Sequence, residues 1–183
     1  PTALALGSFD GLHAGHRSVI ETITSNGLGI PTVVSFWPHP REILYGESRL
    51  RLYLPSEKAS LLEPLGIEQL VLVPFDLSLA SLSAKEFFNQ VLVETLQAKH
   101  IAVGANFRFG KSRSGDTSTL IDLGESSGIK ITVVELIKDK KGRMSSSRIR
   151  EALKRGDIKT TNYLLNRDYT FSGCVVPGRG LGK

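Results

Sequence analysis

Cysteine is nearly absent from this 183-residue chain. A lone Cys174 excludes an internal disulfide and a cysteine-based zinc cage, and it fits a reducing compartment. Long apolar runs are missing as well: none approaches the roughly 18 residues that a membrane helix needs. The opening PTALALGSF has no basic stretch ahead of its apolar residues, so no leader peptide is expected and the protein is read as cytoplasmic. The first residue is not Met, which implies that the native start has been lost. Acidic residues are in deficit, 18 against 23 Lys and Arg, and the net charge of +5 predicts an anionic partner. No RNA-recognition aromatic motif, zinc finger or helix-turn-helix pattern is present, and the basic residues gather late instead of forming one stripe. A compact phosphate site is therefore expected, with neither nucleic acid nor membrane as partner.

What is present is a globular composition, with 40% hydrophobic and 22% charged residues, in a length that suits one domain or one domain and the start of another. Apolar runs at 2–9, 31–37, 69–75, 100–107 and 130–137 read as strands, several of them without polar alternation, as strands buried on both faces are. Between them lie HRSVIETITSNG, PSEKASLLEPLG, SAKEFFNQVLVETLQ and DTSTLIDLGESSG, each long enough for a crossover helix. Ser83 and Glu86 make a capping-box pair, and Phe88, Leu92 and Leu96 recur at helical spacing, which predicts all three in the core. Strand–helix alternation predicts an α/β fold: a Rossmann-like open, mostly parallel sheet with helices on both faces. After IREALKRGD, read as the last helix, residues 169–176 look like a further strand, the threshold of a second domain.

GSFDGLHAGH (7–16) lies at the carboxyl end of the first strand, where open parallel sheets bind ligands. Gly7 and Gly11 allow close backbone approach, and the following helix offers unpaired N–H groups to an anion. His13 and His16, at i and i+3, project from one face of that turn. Three readings stand here: an anion-binding turn, an ordinary connection with incidental histidines, or a zinc pair that would need Asp10 as its third ligand. Ser145, Ser146 and Ser147 can cap a helix carrying Ile149 and Leu153 on its apolar face and ending at Gly156. Arg143, Arg148 and Arg150 near its start oppose the helix dipole by some 0.3–1 kcal/mol each, which makes sense if an anion binds among them; a solvated basic helix start is the alternative. FWPHPRE (36–42) holds His39 between two prolines, and GANFRFGKSRSGD (104–116) offers Asn106 and two aromatics. Both read equally as structural loops or as the lining for a planar ring.

GSFDGLHAGH, PHPRE, GANFRFGKSRSGD and SSSRIREALKRGD, in this order, resemble the adenylyltransferase module of the bacterial bifunctional riboflavin kinase/FAD synthetases, and His13, Gly15 and His16 match the His-x-Gly-His signature of a wider nucleotidyltransferase superfamily. Asn106 stands where many relatives have Asp, and Ser147 where Thr is common; both keep hydrogen-bonding capacity. The resemblance implies FMN adenylyltransferase activity, FMN and ATP giving FAD and pyrophosphate with Mg²⁺. It implies His13 and His16 as catalytic residues on the triphosphate, with His16 serving the α-phosphate. Gly7, Phe9, Asp10, Gly15, Arg143, Ser145, Ser146, Ser147 and Arg150 are implied to bind ATP, and His39, Pro40 and Asn106 the flavin. No protein ligand of the metal follows from it. Residues 1–161 correspond to the adenylyltransferase domain, and 162–183 to a linker and the start of a riboflavin kinase β-barrel whose Pro-Thr-Ala-Asn motif is not in this chain. Relatives of the same fold act on pantetheine phosphate or nicotinamide mononucleotide, and a noncatalytic nucleotide- or nucleic-acid-binding module is a further alternative.

Overall fold

The computed structural model describes residues 1–25, 27–47 and 51–178. Five parallel strands form one sheet in the order β3-β2-β1-β4-β5: β1 (Thr2–Leu6), β2 (Ile30–Trp37), β3 (Gln69–Pro74), β4 (Ala98–Gly104) and β5 (Lys130–Val134). All five correspond to apolar runs predicted as strands. The order reverses direction at β1, so the crevice between the carboxyl ends of β1 and β4 is the place where such sheets bind ligands.

Strand alternation divides the core into two layers. Leu4 and Leu6 of β1 face a cluster with Phe87, Phe88, Leu92 and Leu120. Ala3 and Ala5 face the other side, with Val19, Ile20 and Ile23 of α1 (Ala14–Thr24) and Leu62 of the helix Pro55–Leu62. The two alanines admit α1 close to the sheet, and the leucines fill the wider gap opposite. Helices thus cover both faces, as strands without polar alternation require.

Four crossover segments are helical where expected. In chain order the helices are α1, α2 (Pro40–Tyr45), α3 (Pro55–Leu62), α4 (Leu77–Ser81), α5 (Ala84–Glu86), α6 (Thr117–Ser127), α7 (Ser146–Lys154) and α8 (Ile158–Leu165). Ser83 and Glu86 close the expected capping box on α5. Beyond Glu86, however, Phe87–Thr95 winds as a π-helix, and the Leu96 N–H reaches the Val91 carbonyl. The wider turn brings Phe87 into the core beside Phe88 and Leu92 and leaves Leu96 only half-buried.

A two-residue hairpin, β6 (Lys138–Asp139) with β7 (Gly142–Arg143), leads into α7. Helix α8 follows Gly156, whose φ of 70° ends α7. The boundary expected between residues 161 and 162 falls inside α8, whose Thr161, Leu164 and Leu165 are fully buried. Leu164 and Leu165 form a third cluster with Leu52, Tyr53 and Ile149. Residues 169–176, expected as a strand, carry no regular structure: a strand needs a neighbouring backbone, and here the Ser172 N–H meets only the Glu57 carboxylate. Residues 179–183 of the expected second domain lie outside the described residues. No helix among the described residues is long and apolar enough to cross a membrane.

Candidate functional site

A cleft of about 350 Å³ opens at the carboxyl ends of β1, β4 and β5. It gathers Gly7, Phe9, His13, Gly15 and His16 from the first turn, His39 and Pro40 from the second, Asn106 from the fourth, and Arg143, Ser145, Ser146, Ser147 and Arg150 from the start of α7. The stretches singled out in sequence therefore converge on one volume. Asp10 is the exception. It is buried behind the turn, where its carboxylate accepts the Leu52 N–H at 3.2 Å and pairs with Arg150. That pairing fixes Arg150 at the cleft edge.

The turn itself is strained. Phe9 and Leu12 adopt φ of 45° and 47°, in the left-handed region that residues with a Cβ seldom enter, and Gly11 lies at 92°. Burial of Phe9 and Leu12, each at most 2% exposed, holds them there. Ser146 Oγ donates to the Asp10 carbonyl at 2.6 Å, so its hydroxyl ties α7 to the turn and only its backbone N–H is left for an anion.

His13 and His16 stack with ring centroids 3.7 Å apart, and the Phe9 ring meets His16 edge-on at 5.2 Å. Burial, and then Arg143, bring the His13 pKa down to about 4. Burial, followed by His13, Lys58 and Arg143, pushes His16 well below the ordinary histidine value. Both rings are uncharged at neutral pH, and the Nδ1 atoms of both are buried without a partner. This pair offers N–H donors and not cations. With no acidic residue in the first turn of α1 or of α7, both helix N-termini meet the cleft with their partial positive charge uncompensated.

The zinc reading fails on geometry. The Asp10 carboxylate is engaged by Arg150 and Leu52, and no group of three His, Cys, Asp or Glu able to hold a metal occurs among the described residues. Arg148, grouped with Arg143 and Arg150 in sequence, turns away: it makes a bidentate pair with Asp139 at 2.9 and 3.0 Å and donates to the Gly142 and Arg143 carbonyls. It fastens the β6-β7 hairpin onto α7 and so sets where Arg143 stands.

On the opposite wall, His39 caps α2, its Nδ1 accepting the Arg41 N–H at 3.2 Å, after a cis Trp37–Pro38 bond. Asn106 is exposed in the cleft beside Phe107, which stacks on Phe109 with centroids 5.6 Å apart. Phe107, one of the two aromatics expected there, lines the cleft; so do Arg113 and the segment from Glu135 to Ile137, which were not named from sequence. The signal for the last was its place just past β5, at the binding edge of the sheet. Lys58 was missed as well. Buried within α3, its ammonium donates to the Ser8 carbonyl at 2.9 Å and to Ser35 Oγ at 3.3 Å, and nothing local to PSEKASLL indicates a partner 50 residues earlier.

The family model for FAD synthetase matches residues 1–148. Among curated relatives, the bifunctional riboflavin kinase/FMN adenylyltransferase of Bacillus subtilis is 36% identical over 100% of this chain and 58% of its own length. The protein of the same name from Escherichia coli is 34% identical over 98% of this chain and 59% of its own length. The chain thus spans about three fifths of the relatives it matches. A crystal structure from Streptococcus pneumoniae described as a macrolide-efflux protein superposes with a TM-score of 0.81 at 30% identity, covering 92% of this chain and 57% of that one. Matched over most of its length, with its His-x-Gly-His turn and serine-rich helix start meeting in one cleft, the chain belongs to the FAD synthetase family.

Proposed function

We propose that the chain is an FMN adenylyltransferase, transferring AMP from ATP to FMN to give FAD and pyrophosphate. The observation that carries this reading is the convergence of two uncompensated helix N-termini, a neutral stacked histidine pair and Arg143 on one cleft. An oxygen of the FMN phosphate attacks the α-phosphorus of ATP, the new P–O bond forms as the bond to the bridging oxygen breaks, and pyrophosphate leaves. With a second pKa near 6, the attacking phosphate is mostly ionised at pH 7 and needs no general base. The task is to align two anions and to stabilise the charge that collects on the leaving pyrophosphate.

His16 donates toward the α-phosphate and His13 beside it. Arg143, Arg150 and the N–H groups from Ser145 to Ser147 take the β- and γ-phosphates, with Gly7, Phe9 and Gly15 lining the nucleotide. His39, Pro40 and Asn106 face the flavin. Glu135 is the single carboxylate among the described cleft-lining residues, so the donor set suits a metal that arrives already held by phosphate oxygens. Mg²⁺ therefore enters as part of the MgATP substrate, where it neutralises phosphate charge. On this reading the enzyme works in the cytoplasm on small anions, without nucleic acid or membrane. The adenylyltransferase unit, expected at residues 1–161, extends on this reading through the end of α8 at Leu165, and the residues beyond it lead toward a kinase module.

Incubation with MgATP and either FMN or riboflavin tests the proposal. FAD should form from FMN, no FMN should form from riboflavin, and His16→Ala should slow FAD formation by about 10²–10³-fold. Absence of FAD would overturn the reading, and conversion of pantetheine phosphate or nicotinamide mononucleotide in its place would reassign the acceptor.

A further inference from the structure

Four carbonyls of the first turn, those of Ser8, Asp10, Gly11 and Leu12, are each held by a side chain from elsewhere in the fold. Lys58 of α3 donates to Ser8, and Ser146 of α7 to Asp10. Arg17 Nε of α1 donates to Leu12 at 3.3 Å. The Gly11 carbonyl accepts from Arg167 Nη2 at 3.0 Å, across a sequence separation of 156. In a trans peptide the N–H lies opposite the preceding C=O, so fixing these carbonyls also fixes where the N–H groups of Phe9, Gly11, Leu12 and His13 point, which is what an anion cradle needs.

Arg167 differs from the other three in where it comes from. It lies past α8, beyond the residues matched by the family model and in the segment expected from sequence to be a linker. Its half-buried guanidinium also donates to the Leu165 carbonyl at the end of α8, at 3.3 Å, and sits over the Tyr53 ring with 5.2 Å to the centroid. Arg17 Nη2 meets the same Leu165 carbonyl at 3.1 Å, so two guanidiniums join the end of α8 to Gly11 and Leu12. No carboxylate pairs with Arg167 among the described residues. Its hydrogen bonds go to backbone carbonyls, one of them at Gly11, next to the strained Leu12.

We infer that Arg167 is a positioning residue for nucleotide binding: it registers the Gly11–Leu12 segment against α8, so that the segment leaving α8 sets the geometry of the phosphate-binding turn. This rests on the reading of the turn as the ATP phosphate site. It also makes residues past 161 part of the working adenylyltransferase unit. A methionine at 167 keeps length and packing against Tyr53 but removes both donations; a lysine restores one donor.

The test uses the 183-residue chain and two readouts, FAD formation with MgATP and FMN, and direct binding of the β,γ-methylene analogue of ATP with Mg²⁺. Arg167→Met should raise the KM for ATP and weaken analogue binding by about tenfold, with the KM for FMN within twofold of the parent. Arg167→Lys should recover ATP binding to within threefold, and if Arg167→Met does not fold, Arg167→Gln, which lacks the charge and the fork, should show the same selective loss of ATP binding with faster amide exchange at Gly11 and Leu12, an unchanged affinity again overturning the inference. Unchanged ATP affinity in Arg167→Met overturns the inference, as does equal weakening of ATP and FMN in both variants, the mark of a general structural role. A parent that binds the analogue but forms no FAD overturns the proposed acceptor and leaves the Arg167 comparison readable from binding.

Discussion

His13 and His16 enter the cleft as uncharged rings, and burial keeps them so, helped at His13 by Arg143 and at His16 by the neighbouring His13, Lys58 and Arg143. This has a consequence for stability. The folded His13 value of about 4 lies below the 6.5 of an unfolded histidine, so its contribution is fully present above pH 6.5. As pH falls from 6.5 toward 4, the unfolded chain takes up a proton that the folded chain refuses, and up to about 3 kcal/mol is lost. His16 and the buried His100 act in the same direction. Urea midpoints should therefore fall between pH 7.5 and pH 4.5, and His13→Asn should flatten that dependence; a variant with the parent's pH profile would show that His13 is not the group responsible. The residue types of the site were legible from sequence because glycine, histidine and serine at a strand end have few structural excuses. Their charge state was not, since it depends on Arg143 and on burial. The surroundings of Asp10 were hidden for a related reason: a carboxylate in an exposed-looking turn gives no sign of the arginine waiting behind it.

At the scale of elements, strands were the legible part because burial on both faces leaves unbroken apolar runs. Helices were legible where a cap marks the start, as at Ser83, Asp116 and Ser145. The π-helical stretch was hidden, since its wider turn depends on packing against the sheet and not on any residue pattern. Helix α8 was hidden by its place after an apparent end: Asp157 caps it, and Thr161, Leu164 and Leu165 carry an i, i+3, i+4 pattern inside what looked like a linker. Its partner α7, with its cap, carries Ser145, Ser146, Ser147 and Arg150, one jaw of a clamp whose other jaw is the His13–His16 turn. Ile149 is fully buried against Leu52, Tyr53, Leu164 and Leu165, about 100° around the helix from Arg150, which reaches the cleft. Ile149→Ala should cost about 2–5 kcal/mol, read as a lower urea midpoint, and should raise the KM for ATP more than the KM for FMN if α7 serves the triphosphate as proposed. A loss under about 1 kcal/mol would mean that α7 is held from elsewhere.

Across the whole molecule the site is assembled from halves far apart in the chain. Ser146 bonds the Asp10 carbonyl across 136 residues, and the Arg150–Asp10 pair spans 140. The sheet carries the first half on β1 and α1; the hairpin and α7, braced on α8, carry the second. Their meeting can be read electrostatically without any substrate. Arg143 is the second cause, after burial, of the low His13 value, so the two halves already repel a proton from the ring between them. In Arg143→Ala that part of the depression is removed and the rest stays, so the His13 ring should titrate above 4 but still below 6.5, followed by its Cε1 proton resonance. A titration curve unchanged from the parent would mean that the hairpin does not reach the ring in solution. The same loss should weaken MgATP binding, since a guanidinium that repels a proton from His13 attracts a phosphate to it. The two measurements together separate an arginine that completes the clamp from one that merely borders it, because only the first moves both the ring and the nucleotide.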